Sequence, residues 1–562
     1  MDANDSIDPF QSPPRPKIPL SNSWHEGKLK KSNSVPNTPS GNSNSMPNSR
    51  RASLDETNFN FTTRFRNSII IPVTNWTKSK PKTVKEDKYI IEYSVFRYNG
   101  KQINNEVDLE SHSKLFNPKG ITDTVMSDQQ FRILISQVER IFEVDHIYPQ
   151  RITTGSSGSY FIFNIDITLY KAGIFKPKDE EPYGPLSPKW TKWLHRTFFP
   201  CCFGRSCLIP NLGYVSECAA YILDKNLRSF IVPHTEIVKL KAPTFYYKFW
   251  DRSKPAKIGS FQIFLNNYIN ADIWFKIYPI PIDKVALPDS SDMEVDINEC
   301  NYVFHWSKSS MLQFQKEIEK LVILDYLMRN TDRGLENFMI KIEWEEVKTN
   351  DEKKLVKPFI KMGAIDSGLS FPWKHPNEWR SFPFGWLFLP LSIIGQPFTQ
   401  ETRDHYLPLL TSRYWWSKLV PDLKAVFMKD QDFKERMWNK QLAVLKGQAF
   451  NIIEILKLPY AGPLELTRRE NLLVFDDIMY LPDGKDIQCS NYSSYQQNEL
   501  TPLLNPIQEI INDNEDGPNI YESGYERISR TNPDSNATTQ HKKVIIERLV
   551  KETSKPPVFT WC

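Results

Sequence analysis

Two phrases place polar and acidic residues against apolar chain in a way that invites chemistry. In "LDYLMRNTDRGLENFMIKI" (324–342) a polar tract interrupts an apolar segment and contains Asp332 and, five positions on, Asn337. In "GAIDSGLSFP" (363–372) Asp366 ends an apolar run and precedes Ser367-Gly368. An Asp-x-x-x-x-Asn spacing after a helix suits an aspartate that takes or orients the proton of an attacking hydroxyl and an asparagine that offers oxygen to a metal. An aspartate at a strand end suits a second metal ligand, because magnesium prefers oxygen donors. Upstream, "GSSGSY" (155–160) offers small residues whose backbone N–H groups and hydroxyls can cradle phosphates. Lys176, in the apolar run "AGIFK", is costly to bury unless an anion meets it. Each piece alone has a plain alternative: a hairpin turn, a snorkelling lysine, an Asx-capped loop, a strand-ending turn. In this order they form the parts of a phosphoryl-transfer site, where catalysis is positioning and charge neutralisation.

The elements that must carry these residues are legible from periodicity. "DQQFRILISQVERIFE" reads as an amphipathic helix with Phe131, Ile133, Leu134, Val138 and Ile141 inward. "YFIFNIDITLY" and "AGIFK" alternate as a β-hairpin, and "IGSFQIFLNNY" reads as a buried strand and its exit. Residues 280–300 are polar and proline-bearing, as a loop would be. "SSMLQFQKEIEKLVILDYLMRN" is helical, and the helical pattern returns from Glu401 to Lys457. Beyond Glu470 the chain turns polar; "KKVIIERLVKE" (542–552) could form a short helix there. There are no internal repeats.

The 562 residues allow one large two-lobed domain with tails, and 40% hydrophobic with 13% aromatic content supports a substantial core. Forty-one prolines and a mean hydropathy of −0.49 place much of the chain outside that core. A net charge of +4 is too mild to argue for nucleic acid. Seven cysteines without paired zinc spacing argue against a disulfide scaffold or structural zinc. No apolar run reaches the roughly 18 residues a span requires, and "MDANDSIDPF" lacks the features of a signal peptide, so a cytosolic-side protein is expected. Residues 1–90, rich in Ser, Asn and Pro, are expected to be disordered. They contain "PPRPKIP" (Pro13–Pro19), with PxxP spacing for an SH3 domain, and "RRAS", which sets Ser53 after two arginines.

Beyond the spacing, the chain resembles the type II phosphatidylinositol 4-kinases, most closely their fungal members. The phrases that carry the resemblance are "GSSGSYF", "FKPKDEEPYGPLSPKWTKWLHR", "PCCFGRSCLIPNLGYVSE", "LDYLMRNTDRGLENFMIK", "AIDSGLSFPWKHPNEWRSFPF" and "QLAVLKGQ", spread over residues 129–460. The resemblance implies an α+β, two-lobed protein-kinase-like fold of the PI3/PI4-kinase type with disordered N- and C-terminal tails. It implies a linker over 91–128, an N-lobe with a membrane-binding insertion over 129–268, a C-lobe over 269–460 and a mostly disordered tail over 461–562. In this reading Thr153, Thr154, Gly155, Ser156, Ser157, Gly158 and Ser159 cover the ATP phosphates, and Lys176 contacts them. Gln262, Ile263, Phe264 and Leu265 form the hinge that meets adenine, and Glu181, Pro182 and Tyr183 shape the substrate region. Asp332 is the catalytic aspartate; Asn337 and Asp366 hold magnesium, with manganese as the alternative. The expected reaction transfers the ATP γ-phosphate to the 4-hydroxyl of phosphatidylinositol. The rival is a catalytically weak membrane scaffold that recruits SH3-domain partners.

A soluble chain reaches a lipid through amphipathic surface. In "KWTKWLHRTFFPCCFGRSC" a helix would put Trp190, Trp193 and Phe198 on one face and bases elsewhere, with Cys201 and Cys202 open to palmitoylation. The family's Cys-Cys-Pro-Cys-Cys is here Phe198-Phe199-Pro200-Cys201-Cys202, which implies weaker or more reversible anchoring. Trp274, Trp379, Phe382, Phe384 and Trp386 are expected to face the same membrane. "ELTPLL" (Glu499–Leu504) fits an acidic dileucine signal for a sorting adaptor. The expected location is the cytosolic face of vacuole, endosome/Golgi and plasma membrane.

Overall fold

The structure is a computed structural model; it describes residues 88–116, 123–153, 157–165, 168–181, 184, 186, 206–248, 252–283, 285–296, 302–349, 353–376, 382–482 and 541–552. All of them belong to one unit, Ile69–Cys562. In chain order the elements used below are β1 (Ile91–Tyr93), α1 (Glu106–Phe116), α2 (Asp128–Arg140), β2 (Gln150–Ile152), β3 (Ser159–Ile165), β4 (Leu169–Pro177), α3 (Gly213–Leu227), β5 (Thr235–Leu240), β6 (Lys257–Ile263), β7 (Ile269–Asn270), α4 (Ala271–Ile277), β8 (Met293–Asp296), α5 (Lys308–Leu327), β9 (Phe338–Thr349), β10 (Lys353–Ala364), α6 (Leu391–Ile394), α7 (Gln400–Leu410), α8 (Arg413–Phe427), α9 (Glu435–Leu456), α10 (Pro463–Thr467), β11 (Leu472–Pro482) and β12 (His541–Lys551).

The smaller lobe is an antiparallel sheet in the order β2-β3-β4-β6-β5. Alternation in β3 turns Tyr160 and Ile162 inward, where they meet Phe175 of β4 and Phe261 of β6. Helix α2 closes this core with Phe131, Leu134 and Val138; a capping box between Ser127 and Gln130 starts it. Of the expected inward set, Ile133 is exposed, on the helix's outer face.

The larger lobe is built on α5 and α9. Ser307 caps α5, whose apolar residues then run through the core, among them Phe314, Ile318, Leu321 and Leu324. Helices α7, α8 and α9 divide the long helical stretch and bury Trp415, Trp416 and Trp438. Helix α3 belongs to this larger core through Val215, Ala219 and Leu223 while also packing on β5 and β6.

Four sequence expectations are corrected. Residues 91–128 are no mere linker: β1, α1 and the chain between them put Ile91, Phe96, Ile103 and Leu109 into the main core. The 280–300 stretch includes β8, an edge strand paired to β10 from Met293↔Val356 to Asp296↔Lys353. The 461–562 segment is no uniform tail, because α10, β11 and β12 are ordered. The stretch "KKVIIERLVKE" forms strand rather than helix: β12 pairs antiparallel with β11 along its length and parallel with β1. Val544, Ile545 and Ile546 are β-branched and buried in succession, which suits a central strand covered on both faces. The N-terminal residues 1–87 and the segment 483–540 lie outside the described residues.

Candidate active site

The β9–β10 hairpin explains why the two acidic phrases meet. Phe338 opens β9, Ala364 closes β10, and the two are register partners. Asn337 and Ile365 therefore flank the same end of the hairpin, and the Ile365 N–H donates to the Asn337 carbonyl at 3.0 Å. Arg333, 1% exposed, staples this end. Its Nε donates to both carboxylate oxygens of Asp325 at 3.0 Å, and its other nitrogens reach the carbonyls of Asn337 and Ile365 and the Ser367 hydroxyl. A planar guanidinium can serve these separate acceptors at once. The Thr331 N–H and hydroxyl both donate to the Leu369 carbonyl, at 3.0 and 2.8 Å, tying the two loops together again.

Within this frame Asp332 is exposed and its backbone N–H donates to the Asn330 side-chain oxygen at 2.9 Å, an Asx-type turn that fixes the loop. The Asn337 amide nitrogen donates to the Asp332 carbonyl at 2.7 Å, which commits its nitrogen and leaves the oxygen end to act as a ligand. Asp366 has φ 55, the left-handed region, a conformation that turns the chain sharply at the strand end. Its side chain is 52% exposed and accepts from Lys176 Nζ at 2.8 Å. The same ammonium donates to Glu217 Oε1 at 2.6 Å; Glu217 is 3% exposed, on α3.

The electrostatics follow from this geometry. The Lys176 ammonium holds the Asp366 carboxyl below its usual range. Burial pushes the Glu217 carboxyl up, with Lys176 opposing. Burial would lower Lys176, but the Asp366 and Glu217 carboxylates outweigh it and hold the ammonium charged.

The described part of the glycine-serine stretch packs on Glu180. The Gly158 N–H donates to the Glu180 carbonyl at 2.9 Å, and a Cβ at Gly158 would lie 2.2 Å from the Glu180 carboxylate, so only glycine fits. Ser157 and Ser159 share a hydroxyl contact at 3.3 Å and Thr153 is exposed; Thr154, Gly155 and Ser156 lie outside the described residues. In the hinge, the N–H groups of Ile263 and Phe264 donate to His234 and Ala172 carbonyls at 3.0 Å, so neither is free for adenine. Gln262 is buried and bonded to Thr235, and Leu265 is buried.

The substrate and membrane expectations need larger correction. Glu181, expected to shape the substrate region, is buried: its carboxylate accepts from the N–H groups of Gly213 and Tyr214, at 3.1 and 2.6 Å, and so caps α3, the helix that carries Glu217. Pro182 and Tyr183 lie outside the described residues, as do Trp190, Trp193, Phe198, Phe199, Cys201, Cys202 and Trp379. Trp274, Phe384 and Trp386 are buried core residues, because hydrophobicity alone does not reveal which side of a short helix or turn faces inward. Phe382 is half-buried and lines a cleft of about 500 Å³ with Asp332, Asp272, Glu336 and Phe388. The exposed apolar residues here are instead Ile273 and Ile277 of α4, Ile282, Phe388, and Leu391 at the start of α6.

Sequence reasoning missed Glu217, Arg333 and Asp325. A signal existed for two of them: Glu217 and Asp325 each stand in an apolar run of a helix, where a carboxylate stays only when paired.

A family model described as phosphatidylinositol 3- and 4-kinase matches residues 170–451, which contain Lys176, Glu217, Asp332, Asn337 and Asp366. Phosphatidylinositol 4-kinase LSB6 of Saccharomyces cerevisiae is 43% identical over 485 residues, covering 77% of this chain and 76% of the relative. Phosphatidylinositol 4-kinase type 2-beta of Rattus norvegicus is 37% identical over 385 residues, 63% of this chain and 74% of its own. Phosphatidylinositol 4-kinase type 2-alpha of Danio rerio is 39% identical over 374 residues, 62% and 77%. With a lysine, a helix glutamate and a metal-type aspartate joined beside an Asp-x-x-x-x-Asn loop, and with these likenesses across both lobes, the chain belongs to the phosphatidylinositol 3- and 4-kinase family, among its type II phosphatidylinositol 4-kinases.

Proposed function

We infer that the protein transfers the γ-phosphate of ATP to the 4-hydroxyl of phosphatidylinositol and yields phosphatidylinositol 4-phosphate at a membrane surface. The observation that carries this is the ion cluster of Lys176 with Glu217 and Asp366, at 2.6 and 2.8 Å, tied by Arg333 to the loop of Asp332 and Asn337. Lys176 neutralises phosphate charge, and Glu217 keeps its ammonium aimed across the cleft. Asp332, exposed at the cleft, accepts the proton of the inositol hydroxyl as it attacks. Kinases of this family use ATP and a divalent metal. The donor set fits magnesium: a half-exposed Asp366 carboxylate and the Asn337 amide oxygen are hard oxygen ligands. When bound, the metal neutralises charge on the transferring phosphoryl group.

The lipid approaches over Ile273, Ile277, Phe388 and Leu391, because Phe388 lines the Asp332 cleft and the isoleucines lie on the helix that supplies Asp272 to it. Among the described residues no helix is long and apolar enough to cross a bilayer, so contact is made from the surface. The Cys201-Cys202 pair supplies an acyl anchor, Pro13–Pro19 an SH3 ligand and Glu499–Leu504 an adaptor signal, and vacuole, endosome/Golgi and plasma membrane are the compartments this reading names.

The test is transfer of labelled γ-phosphate from Mg-ATP to phosphatidylinositol in mixed micelles, beside Asp332→Ala. Product phosphorylated at position 4 that vanishes in the variant supports the reading; ATP binding with no lipid product sinks it.

A further inference from the structure

The C-terminal sheet is attached to the kinase core more firmly than a tail would be. Lys446 of α9 is fully buried; its ammonium donates to Asp476 of β11 at 2.6 Å, Glu547 of β12 at 2.7 Å and the Tyr89 hydroxyl at 2.7 Å. Glu547, also fully buried, accepts in addition from the Ser94 hydroxyl at 2.7 Å and the Val95 N–H at 3.1 Å. Four separate stretches of chain thus meet at one charge cluster, with every acceptor satisfied, as a buried charge requires. Next to Lys446, a Cβ at Gly447 would lie 1.7 Å from the Leu472 carbonyl, so β11 crosses α9 where glycine leaves room for its backbone.

This sheet reaches the segment that follows Asp366. Glu552, directly after β12, accepts from the His375 N–H at 3.1 Å, while its own N–H donates to the Asn471 carbonyl at 3.0 Å. His375 is buried, and its Nε2 donates to the Leu472 carbonyl at 2.9 Å. Helix α9 holds the same segment nearer Asp366: Gln441 donates to the carbonyl of Phe371, a residue at φ 56 whose N–H donates to Met328. Two residues past the lysine, Gln448 donates to the Tyr326 carbonyl just before the Asp332 loop.

We propose that β12 is a positioning element of the catalytic lobe: seated between β1 and β11 by the Lys446–Glu547 contact, it holds His375 through Glu552, and turnover at Asp366 depends on that seat. Glu552 is a positioning residue that acts through His375 and touches no substrate. The pairing is an internal form of strand addition, in which backbone bonds seat the strand and the buried glutamate sets its register. This inference rests on the kinase reading above.

The experiment uses the full chain and compares Glu552→Ala with Glu552→Gln, which keeps an acceptor oxygen for His375. Turnover is read as lipid phosphorylation and, without lipid, as ATP hydrolysis; hydrogen exchange reads the backbone amides of residues 371–376. The expected result for Glu552→Ala is a kcat about tenfold lower, KM for ATP unchanged and faster exchange at His375, with Glu552→Gln near the wild type. If Glu552→Ala does not fold, Glu552→Asp, which withdraws the carboxylate by one methylene, takes its place with the same expectation. Faster exchange with unchanged kcat would make the strand merely structural and overturn the proposal, as would equal losses in both variants. Wild-type chain that hydrolyses ATP but makes no lipid product would fail the kinase reading alone, and the hydrolysis rates would still judge the strand.

Discussion

Lys446 and Lys176 each hold two carboxylates, and they serve opposite ends. Lys446 and Glu547 are fully buried and Asp476 is only 14% exposed, whereas Lys176 joins a buried Glu217 to a half-exposed Asp366. The Lys446 cluster is largely closed to water, and its charges fasten chain to chain. The open one has a partner that water already reaches. Asp366 can turn part of its coordination to a metal while Glu217 keeps the ammonium in place. Similar charges at similar distances therefore differ in use because of solvent access on one side.

Substitutions can break or sharpen that contrast. The largest effect is expected from Lys446→Met, which strands the fully buried Glu547 carboxylate and the partly covered Asp476 beside it: stability should fall by about 3–5 kcal/mol in urea unfolding. A Lys446→Met/Glu547→Leu pair should recover part of that loss. Next, Lys176→Met should lower kcat/KM by about 10²–10³ with a far smaller change in Tm, since Asp366 can hydrate and Glu217 can take a proton. Equal stability losses at the two lysines would erase the distinction drawn between them. A smaller effect is expected at the cleft mouth: Phe388→Asp should weaken binding to phosphatidylinositol vesicles by about 1.5–3 kcal/mol in sedimentation, with ATP hydrolysis in solution unchanged.

The smallest concerns pH. Burial pushes the Glu181 carboxyl up from 4.5 to about 7, although the Gly213 and Tyr214 N–H groups pull it down. A folded-state value above the unfolded one means that the folded chain holds the proton longer. The stability this group contributes is full below about pH 4.5 and is lost as pH rises through about 7. Glu181→Gln cannot titrate, so its Tm relative to wild type should rise between pH 5 and 8; a constant difference would show that Glu181 does not titrate in that window.

The membrane-facing and C-terminal regions show where sequence reading loses its grip. Trp274 and Ile273 are neighbours on one short helix, and both are apolar; only packing against Phe304, Trp306 and Phe314 decides that the tryptophan goes inside and the isoleucine out. Strand β12 was harder still. Its partner β11 is some 60 residues away in sequence and its partner β1 over 400, and period alone cannot choose between a short apolar helix and a central strand. Glu181 shows a third kind of miss, for a conspicuous acid beside the site proves to cap a helix.

What the sequence determined by itself was the order of the chemical parts: the glycine-serine stretch, Lys176, Asp332 with Asn337, and Asp366, together with the apolar periods that set the hairpins and long helices. These are local, because spacing of a few residues fixes which groups share a turn or a strand end. Tertiary structure alone decided that Glu217 pairs with Lys176, that Arg333 welds two loops, and that the strand nearest the C-terminus closes the sheet on α9. Such contacts join residues far apart in sequence, and their energies depend on which atoms lose water when the chain packs.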